Sequence, residues 1–143
     1  MKTRAGVPII VLSLVLGLMC HSSLVAGPAE EQAGLASAGA WLALVDAGEY
    51  EKSWDQAASL FKESLSKDQW VKSLEAARKP LGKLISRTSA STTYTKSLPG
   101  VPDGQYVVIQ YNTSFEHKKS AVETVTPMLD KDGKWRVAGY FIK

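Results

Sequence analysis

The hydrophobic period of the chain changes once, near Pro80 to Lys83, from a helical spacing to a strand alternation. Helices followed by strands, without interleaving, prescribe an α+β domain with an antiparallel sheet. The helical half divides at two breakers. A first helix is expected after Pro28, where Glu30 and Glu31 suit the positive end of a helix, with Leu35, Ala38, Leu42 and Val45 on one side and Trp41 widening that face. Gly48 ends it. A second helix is expected to carry Tyr50, Trp54, Ala57, Phe61 and Leu65 at helical spacing. A third begins at Ser66, three residues before Gln69 in capping-box spacing, and presents Trp70, Leu74, Ala77 and Leu81 until Pro80 and Gly82 break it.

Beyond the break, Leu84 to Lys96 is rich in Ser and Thr and poor in large apolar groups, which suits a sheet edge. After a loop at Leu98 to Gly104, the segment Gln105 to Phe115 alternates most clearly, with Val107, Ile109, Tyr111, Thr113 and Phe115 on one face. Turns at Glu116 to Lys119 and Asp130 to Gly133 lead into strands at Ser120 to Leu129 and Trp135 to Ile142, so the expected sheet is a four-stranded antiparallel meander. In the last strand Trp135 and Val137 share one parity, Tyr140 and Ile142 the other. A bulge near Ala138 and Gly139 would bring all four to one side and curve the sheet over the helices into a cone-shaped hollow.

Ahead of this domain, residues 1–26 read as a cleavable signal peptide: a basic opening at Lys2 and Arg4, an apolar stretch from Val7 to Met19, and then small residues. At helical rise that stretch spans roughly 20 Å against a hydrocarbon core of about 30 Å, which disfavours a stable membrane span. Cleavage after Ala26 makes Gly27 the new N-terminus, and Ala29 offers an alternative; residues 27–143 then form a single domain in the periplasm or the medium. Cys20, the only cysteine, could be lipidated, but Met19 before it departs from the small residue that such processing prefers. Removing the segment takes away Lys2 and Arg4 from the chain's 17 basic and 14 acidic residues, leaving a near-neutral domain. No nucleic-acid surface is expected from scattered lysines in such a domain, and without Cys20 there is no thiol chemistry.

The string Trp41 to Gly48 with Tyr50 and Trp54, then Leu98-Pro99-Gly100, Pro102-Asp103-Gly104 with Tyr106 to Gln110, and finally Asp132 to Val137 with Gly139-Tyr140, resembles the bacterial family known as domain of unknown function 4019. The resemblance covers roughly Ala33 to Lys143. It implies an exported bacterial protein with a cystatin-like or nuclear-transport-factor-2-like fold, helices on a curved antiparallel sheet, and it supplies no catalytic residues. Folds of this kind host isomerases, dehydratases and binding modules alike.

Recognisable chemistry is sparse. The mature segment has one histidine, His117, in a turn beside two lysines, and no nucleophile elbow, phosphate loop or paired-histidine metal motif. Asp130-Lys131-Asp132-Gly133 has its glycine too early for a calcium loop, and Asn112-Thr113-Ser114 is a sequon on a predicted strand. No metal or cofactor is expected. The hollow would be lined by Trp41, Tyr50, Trp54, Tyr111, Trp135 and Tyr140, which serve as core filling or hold a small apolar ligand. Two carboxylates compete for the role of a base within it: Asp46 at the end of the first helix, and Glu123, whose strand leaves its facing undecided. Two functions follow. One is a non-catalytic binding or interaction module, self-associating through a sheet edge or face. The other is a cone-fold enzyme that transfers a proton on a small hydrophobic substrate, with Glu123 or Asp46 as base and Tyr140 or Tyr111 as hydrogen-bond donor.

Overall fold

The structure, a computed structural model, describes residues 27–143; residues 1–26, the segment expected above to be a signal peptide and the one that holds Cys20, lie outside the described residues. Helix α1, Pro28–Asp46, starts with Pro28 in its first turn and with the Gly27 N–H donated to Glu30 Oε2 at 2.9 Å. Gly34, Ala38, Trp41, Leu42 and Val45 are its buried stripe. Gly48, at φ 75°, closes it: its N–H reaches Val45 O at 3.1 Å while Glu49 N–H reaches Leu44 O at 2.9 Å, the paired bonds of a Schellman ending.

The expected second helix is interrupted, so the helices number four and not about three. Helix α2, Tyr50–Asp55, and helix α3, Ser59–Ser64, are separated by Gln56 to Ala58. Bonds from far along the chain replace the helical ones at the break. Ala58 N–H is donated to Val137 O at 2.8 Å, and the Asp130 carboxylate accepts both the Ser59 N–H and the Ser59 hydroxyl at 3.0 Å. Asp130 thus caps α3 from 71 residues away, satisfying a donor that a helix start leaves free. Helix α4, Lys67–Arg78, has the expected capping box, with Gln69 N–H on Ser66 Oγ at 3.2 Å and Ser66 N–H on Gln69 Oε1 at 3.1 Å. A 3₁₀ turn, Lys79–Leu81, carries the chain to Gly82 and the sheet.

Strands β1 (Leu84–Thr95), β2 (Tyr106–Phe115), β3 (Lys118–Leu129) and β4 (Trp135–Ile142) form an open antiparallel sheet in that order, so the Ser/Thr-rich β1 is an edge. The bulge in β4 is present: Thr126 pairs with Gly139 but Pro127 with Val137, leaving Ala138 as the extra residue. It turns Trp135, Val137 and Tyr140 all toward the helices, and Val137 O outward to Ala58. The β2–β3 pairing passes from Tyr106–Met128 to Ile109–Val125 with no pairs between, opposite Pro127, which has no N–H to donate.

Helix α1 lies across all four strands, and α3 and α4 close the core on the side of β4. No helix among the described residues is long and apolar enough to cross a membrane. The approach of α1 to the sheet is set by Gly34, where a Cβ would lie 2.7 Å from Val107 Cβ and under 3.0 Å from both its methyl carbons. Val107 is fully buried and has nowhere to move. Gly34→Ala should therefore destabilise by about 1–2 kcal/mol in urea denaturation, because overpacking of about 1–3 kcal/mol outweighs the gain of up to about 1 kcal/mol in helix propensity.

Candidate functional site

On β3 the residues Ala121, Glu123, Val125 and Pro127 face the helices, which settles the parity left open by the sequence: Glu123 is an inward carboxylate, wholly buried. A charge removed from water needs partners for every lone pair, and Glu123 has them. Its Oε1 accepts Arg87 Nε at 2.7 Å and the Thr113 hydroxyl at 2.6 Å; its Oε2 accepts the Tyr140 hydroxyl and Arg87 Nη2, the latter at 3.3 Å. The other side of the Arg87 guanidinium is donated to Asp46, with Nη1 at 2.7 Å from Oδ2 and Nη2 at 3.0 Å from Oδ1. Asp46 Oδ1 also accepts Arg78 Nη2 at 2.9 Å. Two acids and two arginines thus form one balanced network that draws on α1, α4 and every strand of the sheet.

Arg78 is its least satisfied member. The residue is buried, its Nε and Nη1 have no hydrogen-bond partner, and its guanidinium lies over the Phe115 ring at 4.8 Å, which compensates part of that loss. Asp46 is under opposing influences: burial pushes its carboxyl up, but the hydrogen bonds and charges of Arg87 and Arg78 outweigh this and hold it below the usual range. Burial first, then the charge and hydrogen bond of Glu123, push the Tyr140 phenol far above its ordinary value. Tyr111 moves the same way, by burial, with the Arg87 charge opposing and Glu123 adding.

Of the six residues singled out in the sequence, Asp46, Glu123 and Tyr140 meet in this network and Tyr111 sits beside it. Tyr50 and Trp54 belong to α2 and make no hydrogen bond to either carboxylate; Trp54 Nε1 is donated to Leu65 O at 2.8 Å, with Lys62 and Lys67 near its ring. The space over the sheet is occupied by rings in mutual contact: Trp41 to Tyr140 at 5.4 Å, Trp41 to Trp70 at 5.8 Å, and Phe61 edge-on to Trp70 at 4.8 Å. Ser53 binds two of them, accepting Trp41 Nε1 on its carbonyl at 2.8 Å and Trp70 Nε1 on its hydroxyl at 2.9 Å. Tyr140 reaches the wall of a small cleft of about 180 Å³ beside Trp70 and Leu74; the larger grooves, of about 670, 430 and 420 Å³, contain neither Asp46 nor Glu123 in their walls. No group of three or more potential His, Cys, Asp or Glu ligands gathers among the described residues.

The arginines escaped the sequence reading. Arg87 had a signal: it is the one charged residue within Leu84–Thr95, alone in an uncharged strand. Arg78 continues the stripe of Trp70 and Leu74 one turn on, where an apolar residue would be expected. Chemically the arrangement is a clamp. A base that keeps all its acceptor sites engaged has none left for a substrate proton.

Arg87→Ala should cost about 3–5 kcal/mol in urea denaturation, because it strands Glu123 in the interior. The double variant Arg87→Met with Glu123→Leu should recover most of that loss, since both buried charges go together. The pH dependence has two limbs. Asp46 is lowered in the fold, so its contribution is full above about pH 4 and is lost as pH falls through its folded value. Tyr140 and Tyr111 are raised, so theirs is full below about pH 10 and is lost as pH rises above it. Denaturation series across pH should show both limbs, and Tyr140→Phe should flatten the alkaline one.

Compared with known proteins, the chain matches no curated protein. It does match, over residues 37–140, the model of the family described as "Protein of unknown function (DUF4019)". The matched stretch contains Asp46, Arg78, Arg87, Thr113, Glu123 and Tyr140, the whole of the network. The chain belongs to the DUF4019 family.

Proposed function

We propose that the chain is an exported bacterial protein of cystatin-like or nuclear-transport-factor-2-like type, released after removal of residues 1–26, and that it works as a non-catalytic interaction module by pairing with a second copy of itself through β1. The observation that carries this reading is the state of that edge. β1 is twelve residues long, and its single charge, Arg87, is drawn inward by Glu123 and Asp46. Ser89, Ala90, Ser91 and Thr93 are left exposed, with neither the lysine nor the proline that normally guards a free strand. Register shifts at Ile85 and Ala90 bend the strand without adding charge, and Ile85 is 57% exposed. Glu31 covers one backbone donor, Tyr94 N–H, at 3.4 Å. Two such edges can meet antiparallel about a two-fold axis, each completing the other.

Export is supported by the basic opening and apolar stretch of the sequence, and cleavage after Ala26 by the small residues that follow that stretch. No observation favours proton transfer, because the inward acids are occupied by the chain's own donors. Light scattering and sedimentation of the exported chain, its N-terminus identified by mass, should give a dimer in the micromolar range. Ser91→Lys with Thr93→Lys sets like charges across the two edges and should weaken dimerisation at least about tenfold. A chain that stays monomeric at every concentration overturns the reading.

A further inference from the structure

The face of the sheet turned away from the helices holds a groove of about 670 Å³ near the β2–β3 hairpin. Its walls are of two kinds. Ser86, Thr88, Asn112, Ser114 and Ser120 supply hydroxyl and amide groups, and Lys118, Lys119 and Lys143 supply positive charge. No Asp or Glu side chain lines it. Those three lysines form no salt bridge among the described residues, as is the case for every described lysine except Lys52 and Lys67. The groove therefore gathers three lysines with no acidic side chain among its walls.

A second, independent feature borders it. Strand register places Lys143, Val122, Asn112 and Thr88 in one row across the sheet, and Phe141, Thr124, Gln110 and Ser91 in the next. Phe141 is 55% exposed, and Lys143 Nζ lies 5.9 Å from its ring centroid. An exposed aromatic ring, a floor of hydroxyls and an amide, and unpaired ammonium groups answer the three parts of an acidic sugar: its apolar ring face, its hydroxyls and its carboxylate. We infer that this groove binds an acidic oligosaccharide. The hydrogen-bonding groups outnumber the charges, which fits a polyhydroxyl chain better than a phosphate backbone or an anionic bilayer. The volume lies within the range of small-ligand sites. Nothing in this site depends on dimerisation, since the groove is complete within one chain.

Titration calorimetry of the exported chain with an oligogalacturonate, at low and at physiological salt, tests the assignment. Binding should appear at low salt and weaken as salt screens the lysines. A chain with Lys118→Gln, Lys119→Gln and Lys143→Gln should lose about tenfold or more in affinity, Phe141→Ala should weaken binding, and Lys52→Gln should leave it unchanged. Amide chemical shifts of the unaltered protein should move in the rows of Val122 and Thr124 and not in the helices. Absence of binding at low salt, unchanged affinity in the triple variant, or stronger binding to phosphatidylglycerol vesicles or to a single-stranded oligonucleotide overturns the inference. A monomer that still binds oligogalacturonate separates this site from the self-association proposed above.

Discussion

The guanidinium of Arg87, held between Glu123 and Asp46, is the interaction on which the rest of the structure depends. Glu123 stands on an interior strand with no water to solvate it, so some cation must reach it. That cation comes from the edge strand β1, the strand with the fewest large apolar groups of its own. The edge strand is thereby tied to the sheet's centre by charge as well as by its ladder with β2, and α1 and α4 are attached to it in turn through Asp46 and Arg78. Such pairs seldom raise net stability above that of an apolar replacement; what they do is penalise every arrangement that leaves one member alone. The geometry they enforce is a particular register of β1 and a particular seat for α1.

How much of this was legible in the sequence depended on the range of the forces involved. The change of period at Pro80 to Lys83, the capping box at Ser66, the end of α1 at Gly48 and the edge character of β1 are local, written in residues within a few positions of one another. The bulge at Ala138 was legible because its cause is also local: four large side chains in two parities cannot share a face without an extra residue. The break between α2 and α3 was not, because the residues 50 to 65 are spaced as one helix, and the groups that divert Ala58 and Ser59 are Val137 and Asp130, more than seventy residues away. Asp130 in particular read as a turn residue, and its service to α3 is invisible until the chain is folded.

The candidate site divides in the same way. Asp46, Glu123 and Tyr140 could be nominated one by one as polar groups near apolar stripes. Their mutual arrangement required Arg87, and strand alternation alone assigns an arginine in a Ser/Thr-rich edge to solvent. The parity of Glu123 was open because Val122, Thr124, Thr126 and Met128 compete with Ala121, Val125 and Leu129 as an inner face. Arg87 resolves the competition, since a buried carboxylate with four donors is tolerable and an unpartnered one is not.

The bulge at Ala138 has a consequence for the order in which the domain can assemble. By turning Val137 O toward Ala58 and Tyr140 toward Glu123, it makes β4 the strand that both breaks the helical segment correctly and completes the carboxylate's shell. Ser37 of α1 likewise waits for the carbonyl of Trp135, 98 residues on. Without β4, residues 50 to 65 lack the Val137 carbonyl that diverts Ala58, and Glu123 keeps Arg87 and Thr113 but lacks the Tyr140 hydroxyl. Contacts of such long sequence separation are slow to form. The last strand in chain order thus holds contacts that three earlier parts of the chain, α1, the α2–α3 break and Glu123, all require.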